Sequence, residues 1–185
     1  MITRGIPHMQ REYFGEIMNT PIDNIITDNR AIILHKQHKD WTCSIACLRT
    51  ILGTNLSEDW FIDRFHMQPG PYYSKDLKAA ADTFNEFKFA FGCDDDCKDA
   101  FSKFTKLLTM LESGWSIMIE TMYNYGHWLV LLGYYPNGKN LSDCNILLWD
   151  PYLNKIRLEN AEEVISMWID GDHKAMNDYI AVKRK

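Results

Sequence analysis

Apolar residues recur with a helical period through most of the first 112 positions, then in short unbroken blocks from Trp115 onward, and this change of rhythm organises the whole chain. Ile45, Leu48, Ile51 and Leu52 share one face of a helix that starts within 40–44 and stops at Gly53. Ser57 opens a second helix, with Leu56 and Phe61 at the N′ and N4 positions of a hydrophobic staple; Gln68-Pro69-Gly70-Pro71 breaks it beyond about His66. Ser74 opens a third through about Thr83. Phe101, Phe104, Leu107, Leu108 and Leu111 make 97–112 amphipathic, and Gly114 ends it. His8, Met9, Tyr13, Phe14, Ile17 and Met18 predict a short leading helix over 8–18.

Strand patterns interrupt and then replace these helices. Ala31–Leu34 is a short apolar strand candidate, and Phe87-Lys88-Phe89-Ala90-Phe91 alternates with period two, as a half-buried strand does. The blocks 115–120, 127–135, 145–149 and 154–158 predict four more strands, with a turn signal at Pro136-Asn137-Gly138-Lys139. Asn160 with Glu163 resembles a capping box for a last helix to about Ile169, and Tyr179–Val182 returns as a final strand. Helices first and an antiparallel sheet afterwards give an α+β fold class. With 185 residues, 46% of them apolar, and no repeat or linker, one domain over 1–185 is expected.

Charge narrows the function. A net charge of −5 with scattered lysines and arginines excludes a nucleic-acid surface, and Lys183-Arg184-Lys185 reads as a solvated tail. No block approaches the roughly 18 apolar residues of a membrane span. Met1–His8 has no apolar signal region, and five cysteines, an odd number, fit a reducing compartment. A cytoplasmic location is expected, with signal-less export left open.

The candidate chemistry lies where elements begin and end. Cys43 sits at a helix start, where the helix dipole and unpaired N–H groups favour thiolate. Six residues upstream, Gln37 carries an amide able to donate to an oxyanion. Gly126-His127-Trp128 puts a histidine at the mouth of an apolar strand, and Asn145–Asp150 ends another on an acid, with Pro151 forbidding its continuation. A thiol nucleophile needs a base, and the base needs an orienting group, so this order of Gln, Cys, His and Asp describes an acyl-transfer site.

With these motifs the chain resembles the papain-like cysteine peptidases, and among them the C39-like group, which places Gln ahead of Cys, a Gly-His-Trp-hydrophobic strand and a later Asp-Pro. The resemblance covers about residues 31–158. It implies a fold in which N-terminal helices, with the catalytic cysteine at a helix start, pack on a C-terminal antiparallel sheet. It assigns Cys43 as nucleophile, His127 as base, Asp150 as orienting acid and Gln37 as oxyanion donor. It further implies no cofactor or metal, a peptide or protein substrate, and a preference for small residues such as a Gly-Gly pair. Many relatives carry glycine after the cysteine where this chain has Ser44; a side chain there would narrow the cleft or change which substrate backbone approaches. The Trp41–Arg49 string also resembles the guanylyl-cyclase-like branch of the superfamily, but no Gly-rich phosphate cradle or paired metal-binding carboxylates accompany it.

Three functions share these residues: hydrolysis of a peptide or isopeptide bond, acyl transfer to an amine or thiol, and peptide binding without turnover. Cys47, four positions along the helix, is expected in the core. Cys93-Asp94-Asp95-Asp96-Cys97 has a metal reading, but zinc favours closely spaced ligand pairs with a second pair elsewhere. The loop is instead expected to cap helix 97–112 with its acids and to form no Cys93–Cys97 disulfide. His35 and His38 are expected as exposed flanks of Gln37. Tyr72-Tyr73 lies either over a substrate groove or against the third helix.

Overall fold

The computed structural model describes residues 26–27, 33–95, 99–122, 126–136, 140–169 and 178–185. The predicted leading helix, His8, His173, Cys97 and the Asn137–Lys139 turn lie outside them. Among the described residues the helices are α1 (Cys43–Leu52), α2 (Glu58–Phe65), α3 (Ala79–Thr83), α4 (Ala100–Glu112) and α5 (Ala161–Ile169). The strands are β1 (Ile26–Thr27), β2 (Phe87–Phe91), β3 (Ser116–Thr121), β4 (His127–Pro136), β5 (Cys144–Asp150), β6 (Lys155–Asn160) and β7 (Tyr179–Arg184). Six of these strands form one antiparallel sheet in the order β2-β7-β3-β4-β5-β6, and β1 pairs with β4 at Gly133 and Tyr134. The architecture is α+β, with the helical half packed on the sheet.

Both faces of the sheet are covered, which is why its strands read as near-continuous apolar blocks. Met118, Trp128, Val130, Leu147 and Trp149 face α1 and α2, together with Ile45, Leu48, Ile51 and Phe61. Ile117, Ile119, Leu129, Leu131, Ile146 and Leu148 face α4 and α5, together with Phe104, Leu107, Leu111, Val164 and Trp168. Nine of the ten residues of α1 are buried, more than a single apolar face accounts for. Its outward side is closed by Arg49, whose Nε donates to the Leu56 carbonyl at 2.6 Å, and by Thr50, whose hydroxyl accepts from the His35 N–H at 3.1 Å. Gly53 adopts φ 63° and donates back to the Arg49 and Thr50 carbonyls, the left-handed stop that glycine permits.

Local chemistry follows the sequence at α2, where Ser57 Oγ accepts from the Trp60 N–H and Phe61 is fully buried. It departs elsewhere. The segment from Ser74 is a 3₁₀ turn (Ser74–Leu77) followed by α3, because buried Asp178 takes the Ser74 N–H at 2.7 Å and Asp76 takes that of Tyr73 at 3.0 Å. α4 begins at Ala100 and is capped by Asp99, which accepts from the Ser102 N–H at 2.9 Å. Asp94 and Asp95 pair instead with Lys78 and Lys106. Asn160 caps α5 through the Glu162 N–H rather than as a box with Glu163. Residues 33–34 belong to no strand; the Trp149 indole holds this segment through the His35 carbonyl at 3.2 Å.

Candidate active site

The sheet brings the histidine and the acid together because antiparallel pairing sets the start of one strand beside the end of its neighbour. β4 pairs with β5 so that Val130 lies opposite Trp149, which leaves His127 and Asp150 at the same end of the sheet. Gly126, at φ 102°, turns the chain into β4 in a conformation closed to most side chains. His127 Nε2 then lies 2.9 Å from Asp150 Oδ1. Cys43, the first residue of α1, lies close enough to the ring for its thiol to help raise the His127 pKa.

The charges of this group depend on one another. Burial favours the neutral imidazole, but the hydrogen bonds to Asp150 and Cys43 outweigh it and raise the His127 pKa to about 9. Burial likewise opposes charge on Asp150, which is 0% exposed. Its contacts overcome that and hold the carboxyl below its usual range: His127 first, then the Leu153 N–H, then Arg157. Oδ1 also accepts from the Tyr152 and Leu153 N–H groups at 3.0 Å each, so the turn after Pro151 clamps the acid in place.

Arg157 is the member of this group that the sequence reading missed. Its Nη1 lies 3.3 Å from Asp150 Oδ2 and its Nη2 lies 2.7 Å from Glu159. β6 pairs with β5 so that Arg157 faces Leu148, diagonal to Asp150. The available signal was the alternation of Ile146, Leu148 and Asp150 carried across the four-residue Pro151–Asn154 turn. Arg157 offsets part of the acid's negative charge on the imidazole. Arg157→Gln is therefore expected to move the alkaline limb of Cys43 acylation upward by about half to one pH unit, since the imidazolium keeps its proton longer. The pH profile measures this; a uniform loss of rate at every pH would reduce Arg157 to a packing role.

Gln37 is buried and anchored beside the same turn, its N–H donating to the Pro151 carbonyl at 3.1 Å. Its side-chain Nε2 donates to the Lys39 carbonyl at 3.0 Å, which occupies one amide proton and leaves the second. An open cleft of about 550 Å³ is lined by Lys36, Gln37, His38, Lys39, Asp40 and Tyr152. Tyr152 is 54% exposed, and its ring stands edge-on to His127 at 6.4 Å. Ser44 is 1% exposed.

The other sequence candidates separate by burial. Cys47 is fully buried, its Sγ 3.2 Å from the Trp128 carbonyl, and burial pushes its thiol well up, as a core cysteine requires. His38 is exposed, as expected, and also lines the cleft. His35 is half-buried rather than an exposed flank, and burial and then Arg49 lower its pKa. Tyr72 packs against Trp41 at 6.3 Å, and its carbonyl accepts from the Trp128 indole at 2.7 Å. Among the described residues no cluster of three His, Cys, Asp or Glu side chains is arranged to hold a metal, and no helix is long and apolar enough to cross a membrane.

No protein-family model and no curated protein matches the sequence. Among solved structures, that of UfSP from C. elegans is similar, with a TM-score of 0.55 at 14% identity over 90% of this chain and 35% of the UfSP chain. The chain thus spans about a third of the UfSP chain. The likeness is one of fold: the α+β arrangement is papain-like, with helices first and the antiparallel sheet after them. It supports the papain-like fold without singling out the C39-like group.

Proposed function

We propose that this protein is a papain-like cysteine hydrolase that cleaves a peptide or isopeptide bond through Cys43, His127 and Asp150. The observation that carries this reading is the buried His127–Asp150 hydrogen bond of 2.9 Å, on a ring whose pKa the neighbouring Cys43 thiol helps to raise. The papain-like fold supports it, and the order of Gln37, Cys43, His127 and Asp150 favours the C39-like group within that fold. A cytosolic location and a substrate with small residues at the cleavage point complete the proposal.

The chemistry proceeds in two steps. His127 holds the proton of Cys43, and Sγ attacks the acyl carbon; the new C–S bond turns the carbonyl oxygen into an oxyanion. The second amide proton of Gln37 and the Cys43 N–H are the donors for that oxygen. As the intermediate collapses, the C–N bond breaks and the leaving amine takes the proton from His127. Water, deprotonated by the same ring, then releases the acid and restores the thiol. Asp150 keeps Nε2 protonated and the ring aimed at sulfur. An amine or thiol in place of water gives acyl transfer on the same residues. Peptide binding without turnover would use the same cleft.

Intact-mass analysis after incubation with a peptidyl-Gly-Gly thioester tests the proposal. An acyl adduct is expected on Cys43, absent from Cys43→Ala, with none on buried Cys47. Adducts at equal rates on Cys43 and exposed Cys93 would overturn it.

A further inference from the structure

Glu58 opens α2 yet is only 3% exposed, whereas a first-turn carboxylate serving the helix dipole alone remains in water. Its oxygens face the loop that carries the site. Oε1 and Oε2 accept from the His38 N–H at 3.0 and 3.2 Å, and Oε2 lies 2.9 Å from the Thr42 hydroxyl. The same hydroxyl accepts from the Lys39 N–H at 3.2 Å and shares its one proton between Glu58 and the Lys39 carbonyl at 2.9 Å, which also accepts the Gln37 amide at 3.0 Å. One buried carboxylate thus ties together a loop whose two ends are Gln37 and Cys43. Thr42 occupies the N-cap position of α1, where a threonine ordinarily accepts from a first-turn N–H; here it makes no side-chain cap bond.

We propose that Glu58 is the positioning residue of the oxyanion side: through the loop it holds, it fixes the Gln37 amide for the reaction. Glu58 touches no substrate. Its effect passes through Thr42, His38 and Lys39 to the groups that receive the negative oxygen. The assignment rests on the hydrolase reading above.

Two probes of Cys43 isolate this role. Acylation by p-nitrophenyl acetate forms an S–C bond through a tetrahedral oxyanion and expels p-nitrophenolate, while the thiol proton goes to His127. Alkylation by iodoacetamide forms an S–C bond by direct displacement of iodide, with no oxyanion. Glu58→Gln is expected to slow acylation by about tenfold or more while alkylation stays within about twofold. Thr42→Val, which keeps the shape and removes the hydroxyl, should behave alike, and Thr42→Ser should retain the wild-type ratio. Thr42→Val decides the matter if Glu58→Gln does not fold. Equal falls in both rates, or unchanged acylation, would overturn the assignment of Glu58. A wild-type Cys43 that is alkylated but not acylated would overturn the hydrolase reading itself, and this assignment with it.

Discussion

Replacing His127 with alanine is expected to slow acylation of Cys43 by about a thousandfold, close to the loss in Cys43→Ala, because nucleophile and base act as one unit. The imidazole sits against the thiol with its pKa raised to about 9, so the wild-type protein carries an imidazolium beside sulfur throughout the neutral range. Its removal takes away both the proton acceptor and the charge that stabilises thiolate. Iodoacetamide labelling of Cys43 at neutral pH should slow by about tenfold, and the pH at which Cys43 becomes alkylatable should rise, because no imidazolium is left to stabilise the thiolate. Identical profiles in the two proteins would show that the ring does not act on the thiol. Stability should move with the same proton. It is bound more tightly in the folded state, at about 9 against an ordinary 6.5, so its contribution is complete below about pH 6.5 and lost as pH rises through 9. The unfolding midpoint of His127→Ala should therefore trail the wild type most at pH 6 and least at pH 9.5.

Asp150→Ala should damage the fold as well as the reaction. The carboxylate is fully buried and receives His127, the Tyr152 and Leu153 N–H groups and Arg157. Its loss strands a buried cation and the N–H groups of the turn, which costs roughly 3–5 kcal/mol. That corresponds to a drop of about 10 °C in the unfolding midpoint for a chain of this size. Asp150→Asn offers a different outcome. Its carbonyl oxygen still accepts from the turn and the imidazole, while its amide faces Arg157 without attraction, so the fold should persist with activity partly lost. The wild type's advantage over this variant should be present above the ordinary carboxyl value of 3.8 and vanish as pH falls through the lower folded value. Thermal melts across pH measure both; equal midpoints for Asp150→Ala and Asp150→Asn would mean that the turn does not depend on its acceptor.

The legible parts of the site are those at the ends of elements. Cys43, His127 and Asp150 each stand where an apolar pattern starts or stops, and a polar residue at such a point has unpaired backbone around it and no core position to fill. Their identities as thiol, imidazole and carboxylate then limited the chemistry. Gln37 was legible by residue type but not by contact, since its amide bonds the Lys39 carbonyl rather than facing sulfur alone. The side on which Ser44 lies was not legible, because the residue after a helix-start cysteine can point either way, and only the packing of α1 on the sheet turns it inward.

By itself, the sequence determined the order of elements, the α+β class and the residue types at the three element ends, because hydrophobic period and turn chemistry act within windows of a few to some fifteen residues. Tertiary structure alone decided which groups hold those residues. Arg157 reaches Asp150 through the β5–β6 register, and Glu58 reaches Thr42 through the docking of α2 on the loop before α1. The His127 ring keeps its proton because buried Asp150 hydrogen-bonds it, with the Cys43 thiol adding to the rise in its pKa. Each of these contacts joins separate elements, and its energy comes from desolvation and geometry that no local pattern contains.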